Sequence, residues 1–283
     1  MKKIGLVLEG GGMRGAYTAG ALSWLIDQGI EFPYITGISS GALYASMFAN
    51  KDKDLLFKAS TELAGHKRNV GVNAFLHEGT PVGYNFLFDE IMKHYHFDTE
   101  RLRSFGGELE VGVYDIEASE TLWKNQQDIA DHPDYLKAAC TLPLAGRAVV
   151  IEGKKYMDGG ITTMIPIEKS LTAGCDRHLV ITTKDRDFVR KPNGAATQFM
   201  LDRVYHKHKK LLADFRNRTD VYYHEKKIVD NLMAMSQAVL LYPSVKTNVK
   251  RTGGTVDEFK VLYQNAYDDC ENNRTAILGL FSD

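Results

Sequence analysis

Two short apolar runs near the start of the chain are each cut off by glycines and followed by residues repeating at helical spacing. Ile4-Gly5-Leu6-Val7-Leu8 runs into Glu9-Gly10-Gly11-Gly12-Met13-Arg14-Gly15, after which Ala16, Ala19, Gly20, Leu22, Leu25 and Ile26 mark an amphipathic helix that Gly29 stops. Pro33 then leads into Tyr34-Ile35-Thr36, which ends in Gly37-Ile38-Ser39-Ser40-Gly41, and Ala42, Leu43, Ala45 and Phe48 continue as a second helix. Strand, helix, strand and helix in succession predict an α/β protein with a parallel sheet and a ligand site at the strand ends.

Leu55, Leu56, Ala59 and Leu63 predict a further helix, and another is expected from Asp89 to His96. The glycine- and aromatic-rich passage between them is open to two readings, the wall or lid of an apolar pocket and an ordinary insertion. Glu108 to Tyr114 alternates as a strand, with Glu120 to Lys124 pairing with it or extending it. Asp134 to Cys140 reads as a helix, Val149 to Met157 as a hairpin turning at Gly153, and Leu179 to Thr183 as a buried β-branched strand. A helix is predicted from Gln198 to Phe215, its face of Met200, Val204, Leu211 and Phe215 flanked by basic residues. Such a helix can lie on anionic lipid, although packing on the protein body is favoured. A separate helix from Tyr222 to Met235, a strand from Ala238 to Tyr242 and a last amphipathic helix around Phe259 to Tyr267 complete the reading. Without repeats or a clear linker, a single domain over residues 1–283 is expected, its motifs in about 4–190 and a helical and strand portion in about 195–283.

Composition narrows the chemistry. With 283 residues, 44% of them hydrophobic and 25% charged, the chain can bury a large core. A formal net charge of -1 gives no global basic field, so nucleic acid is not expected as a partner. Three widely spaced cysteines make no disulfide framework, and the paired histidines 94/96 and 206/208 lack metal-ligand companions, so no metal is expected. Glu9 and Arg14 interrupt what would otherwise resemble a signal peptide after Met1-Lys2-Lys3. A cytoplasmic protein is expected, with any lipid contact peripheral at the inner membrane surface.

The two turns carry the candidate chemistry. Gly37-Ile38-Ser39-Ser40-Gly41 fits the G-x-S-x-G nucleophile elbow, with Ser39 at the nucleophile position and Gly37, Ser40 and Gly41 shaping the turn. Gly10, Gly11 and Gly12 leave backbone N–H groups uncovered at a helix start, where negative charge is favoured, as an acyl-transfer oxyanion requires. The spacing Gly10-x-Gly12-x-x-Gly15 also occurs in dinucleotide sites, but the acid that reading needs, Glu31, precedes the second strand when it should end it. A serine needs a base. No motif singles out one of the nine histidines, and Asp158, held by Gly159 and Gly160 at the end of the hairpin, is the better candidate. From Asp-Gly-Gly by itself, a turn-capping or ion-paired aspartate is the preferred reading.

The ordered set of Glu9 to Gly15, Gly37 to Gly41 and Asp158-Gly159-Gly160, with Thr141-Leu142-Pro143 before the aspartate, resembles the patatin-like phospholipase family in a bacterial form. Glu9 stands where plant members carry aspartate, and Gly160 where alanine is commoner. The resemblance implies a three-layer α/β/α fold, a serine and aspartate dyad without histidine, and cleavage of lipid acyl esters with no cofactor and no calcium. It makes Ser39 the nucleophile, Asp158 the base, Gly11 and Gly12 with neighbouring amides the oxyanion donors, and Arg14 and Gly15 parts of the supporting loop. The expected partner is a lipid or acyl-ester substrate. An acyltransferase on the same dyad and a non-catalytic lipid- or protein-binding module are the alternatives.

Overall fold

The unbroken apolar run at the start of the chain forms a strand buried along its whole length, as a central parallel strand must be. In the computed structural model, which describes residues 2–282, this strand lies within a single sheet. The strands are β1 (Ile4–Leu8), β2 (Tyr34–Ile38), β3 (Glu108–Asp115), β4 (Glu120–Asn125), β5 (Val149–Ile151), β6 (Lys154–Asp158), β7 (Arg177–Ile181) and β8 (Ala238–Leu241). They run in the order β5-β6-β3-β2-β1-β7-β8, with β4 on the other edge of β3. From β3 to β8 the neighbours are parallel, and β4, β5 and β6 pair antiparallel.

Alternation along the central strands sends side chains into two helical layers. Leu6 and Leu8 of β1 and Leu179 and Ile181 of β7 join the core under α1 (Ala16–Asp27), α2 (Ser40–Ala49), α3 (Asp134–Cys140) and a helix at Val256–Asn272. Val7 and Val180 face the other way, onto Ile167 of α4 (Ile167–Thr172) and Tyr222, Val229 and Leu232 of α5 (Lys209–Ala234). The Val256–Asn272 helix, α6, packs along α1, where the Tyr17 hydroxyl donates to Asp269 at 2.9 Å. Each buried large side chain on these faces is worth roughly 1.5–3 kcal/mol over exposure.

Two expected helices are redrawn. The helix expected from Gln198 to Phe215 is broken: Ala195–Val204 ends at Tyr205, which packs its hydroxyl on Met157 Sδ at 3.5 Å, and α5 starts at Lys209. The helix expected to begin at Tyr222 is instead the second half of α5, which runs 26 residues without interruption. Its buried stripe of Leu211, Phe215, Arg218, Tyr222, Glu225, Val229 and Leu232 holds it against the body of the protein across the polar residues 217–220. Glu120–Asn125 pairs with β3 and does not extend it.

Candidate active site

The elbow is a consequence of how β2 hands over to α2. Ser39, between them, has φ 56° and ψ −128°, a conformation that costs a non-glycine residue about 1–3 kcal/mol and persists only where the surroundings impose it. The two flanking glycines impose it by letting backbone pass at close quarters. A Cβ on Gly37 would lie 2.5 Å from the Gly41 carbonyl oxygen, and one on Gly41 would lie 2.6 Å from that of Leu8. Both obstructions are backbone, so neither can swing aside. Gly41→Ala is expected to destabilise the fold by about 3 kcal/mol, measured as a lower urea midpoint with an unchanged slope.

Sheet register brings Asp158 to the same place. β4 occupies one edge of β3 over Glu110–Asp115, so β2 and β6 share the other edge end to end. Ile38, the last residue of β2, faces Gly112, and Asp158, the last of β6, faces Val113. The serine that follows Ile38 and the carboxylate therefore meet although 119 residues separate them in the chain. Asp158 is fully buried; its Oδ1 accepts the Gly160 N–H at 2.7 Å, and its Oδ2 has no formed hydrogen bond. The Ser39 hydroxyl is close enough to depress the carboxyl pKa but lies outside the geometry of a completed bond. Burial dominates and raises the pKa to about 6, against the opposing pull of Ser39, the Gly160 amide and the guanidinium groups of Arg218 and Arg251. Burial, with a smaller push from the nearby carboxylate, raises the pKa values of Tyr84 and Cys140.

The glycine loop is divided in its loyalties. The Gly10 N–H donates to the Met164 carbonyl at 3.2 Å, Gly11 N–H to Ser40 Oγ at 3.0 Å and Met13 N–H to the Arg251 carbonyl at 3.0 Å. Among the described residues Gly12 N–H has no protein acceptor, and Gly12 lines the cleft with Ser39. Of the amides expected as oxyanion donors, Gly11 and Gly12 with their neighbours, Gly11 N–H is therefore engaged by Ser40 Oγ while Gly12 N–H is not engaged by the protein. Gly12 has φ +58°, and a Cβ there would lie 2.3 Å from the Arg251 carbonyl oxygen. Arg14 Nε donates to the Val249 carbonyl at 3.1 Å, fastening the loop to the segment that carries Arg251. Gly15 abuts the Tyr44 ring of α2.

Beside Glu9, the first residue of the glycine motif, stand several residues that no motif announces. Glu9, wholly buried, ion-pairs with Lys184 and accepts the Thr183 N–H at 2.7 Å and its hydroxyl at 3.0 Å. Lys184, Arg190, Arg218 and Arg251 line one side of the cleft with Asp158 and Ser39. On the other side Leu43, Tyr44, Val70, Val82, Leu87 and Leu142 form an apolar wall, to which the passage 71–88 contributes Val82, Tyr84 and Leu87 while its Phe75 and Leu76 are exposed. Glu31, by contrast, pairs with Lys51 on the surface at the opposite end of β2 from the elbow, where it could not meet a nucleotide held on the glycine loop.

Comparison with known proteins bears on the fold and the family. The crystal structure of VipD from Legionella pneumophila superposes with a TM-score of 0.52 at 14% identity, covering 96% of this chain and 66% of that one, which establishes a shared fold. The uncharacterized protein YjjU of Escherichia coli (strain K12) is 27% identical over 188 residues, 64% of this chain and 52% of YjjU. A putative patatin-like phospholipase domain-containing protein of Caenorhabditis elegans, M110.7, is 48% identical over 46 residues, which are 16% of this chain and 4% of that protein. The chain therefore spans about half or less of the length of these curated relatives. Among the described residues no helix is long and apolar enough to cross a membrane. The family model for patatin-like phospholipases matches residues 6–170, a stretch that contains the glycine loop from Gly10, the elbow and Asp158, and the chain belongs to that family.

Proposed function

We propose that this protein is a serine acyl hydrolase acting on acyl esters of lipids through a Ser39 and Asp158 dyad, on one domain over 1–283. The observation that carries the reading is the buried, unpartnered Oδ2 of Asp158 beside an elbow serine, at the junction of an apolar wall and a free loop amide. Ser39 Oγ attacks the ester carbonyl while its proton passes to Asp158, and the Gly12 N–H meets the oxygen as it becomes negative. The tetrahedral intermediate collapses, Asp158 returns the proton to the departing alcohol oxygen, and an acyl-serine remains. Water then gives a proton to Asp158 as it attacks the acyl carbonyl, and the fatty acid leaves as Ser39 recovers its hydrogen. A base with a pKa of about 6 is ionised at neutral pH and still basic enough to share in proton transfer.

The apolar wall suits an acyl chain, and its neighbourhood suits a lipid surface. Val72, Phe75 and Leu76 are exposed on the short helix Val72–Glu78, between Val70 and Val82 of the wall, and would make the peripheral contact with the membrane. Val70→Trp narrows the wall and is expected to lower the rate on p-nitrophenyl dodecanoate at least about tenfold relative to the butyrate. The central assignment is tested with a fluorophosphonate probe. Ser39 is expected to carry the label, and a Ser39→Ala protein to carry none; labelling of Ser40, or undiminished labelling of the variant, would overturn it.

A further inference from the structure

The cleft side opposite the apolar wall is crowded with positive charge that the hydrolytic steps do not use. Five cations, Arg14, Lys184, Arg190, Arg218 and Arg251, line it against one carboxylate, Asp158. Two of them are committed elsewhere: Lys184 to Glu9, and Arg14 to the Val249 carbonyl. The other three make no ion pair among the described residues. Arg218 is the most telling. It projects from the buried stripe of α5, is 6% exposed, and its Nε is enclosed without an acceptor. Burial, then the like charges of Arg190 and Arg251, bring its pKa down to about 9. A guanidinium withdrawn from water beside two others is costly unless an anion completes the set.

We propose that Arg190, Arg218 and Arg251 form a receptor for the phosphate of an anionic glycerophospholipid whose headgroup carries no cation, seated across Ser39 from the acyl wall. Three forked donors suit the several oxygens of a phosphate better than a single carboxylate. The same surroundings reject choline and ethanolamine. A quaternary or primary ammonium binds to aromatic faces or carboxylates; here the aromatic faces already carry cations, and the one open carboxylate of this side, Asp158, is the base of the proposed reaction. Lys184 Nζ lies 5.7 Å from the Phe188 ring centroid and 5.6 Å from that of Tyr222, Arg190 lies 5.5 Å from Tyr222 and Arg14 lies 5.8 Å from Phe188. Glu9 is held by Lys184, and Glu225 by the Met164 and Ile165 amides. The inference deepens the acyl hydrolase reading and rests on it for the placement of the ester.

Calorimetric titration of the Ser39→Ala protein tests the receptor without turnover. Glycerol 3-phosphate is expected to bind at least tenfold tighter than glycerophosphocholine, with Arg190→Gln and Arg218→Gln each weakening it at least tenfold and Arg218→Lys restoring part of the loss. Arg190 is only half-buried, so its variant carries the test if Arg218→Gln fails to fold. In parallel, the wild-type kcat/KM for phosphatidic acid should exceed that for phosphatidylcholine of the same chains at least tenfold in mixed micelles of matched surface charge. Arg190→Gln should bring that ratio towards one. Equal binding of the two glycerol phosphates, a wild-type ratio near one, or a ratio that ignores the arginine variants would overturn the proposal. Inorganic phosphate binding tighter than glycerol 3-phosphate, with no preference among lipids, would mark a site for the free ion and overturn the headgroup assignment. Hydrolysis surviving in Ser39→Ala while glycerol 3-phosphate still binds would sink the dyad and leave the arginine receptor standing.

Discussion

Ser39→Ala is expected to lower kcat/KM for ester hydrolysis by at least about 10⁴-fold, with only the rate enhancement due to binding and the loop amide left behind. The expectation follows from the geometry of the turn. Ser39 carries the side chain pushed out of the fold, while Ser40 Oγ is occupied in accepting the Gly11 N–H at 3.0 Å and cannot take its place. Alanine inherits the backbone conformation of serine at φ 56°, so the variant should match wild-type stability to within about 1 kcal/mol. Steady-state hydrolysis of a short ester, beside a denaturation curve, separates the two effects. A folded variant that kept a tenth of the wild-type rate would remove Ser39 from the chemistry.

Asp158→Asn should cost about 10³-fold or more in kcat/KM, because an amide cannot take the serine proton. In the wild type, kcat/KM should rise with pH through about 6 and level off above it, as the carboxyl loses its proton. Stability should move the opposite way. The folded pKa is raised above the ordinary 3.8, so the native state binds the proton more tightly than the unfolded chain. The stability contributed by that proton is fully present below about 3.8 and is lost as pH rises through about 6. Above that pH the shift of roughly two units costs about 3 kcal/mol, and Asp158→Asn, which has no charge to bury, should recover much of it at pH 7. Urea titrations at pH 4 and pH 7 measure this difference. A variant no more stable than wild type at pH 7, with hydrolysis intact, would point to a different base.

Much of this site was legible in the chain because its parts are bound to local backbone constraints. The elbow glycines and the glycine loop are spelled out within a few residues of one another, and the hairpin that ends in Asp158 is a short-range pattern. The arginines are not. Arg218 belongs to a stripe that repeats Phe215, Arg218, Tyr222, Glu225, Val229 at alternating spacings of three and four, and a charge on a buried stripe was the available signal. It was obscured because the polar residues 217–220 read as a gap between two helices, when tertiary packing carries α5 straight through them. Nor does anything local distinguish the amide of Gly12 from that of Gly11. That distinction depends on Ser40, 29 residues from Gly11.

Because β2 and β6 abut on a single edge of β3, changes of chain length are unequally tolerated around the Asp158 carboxylate. The turn at Glu152 and Gly153 is exposed and free of close neighbours at its glycine, so extra residues there leave the pairing as it is. One residue added between Lys154 and Asp158 would invert the alternation and send the carboxylate to the far side of the sheet. A lineage built on this scaffold can therefore diversify its hairpin tip at little cost, while the few residues that follow must keep their number.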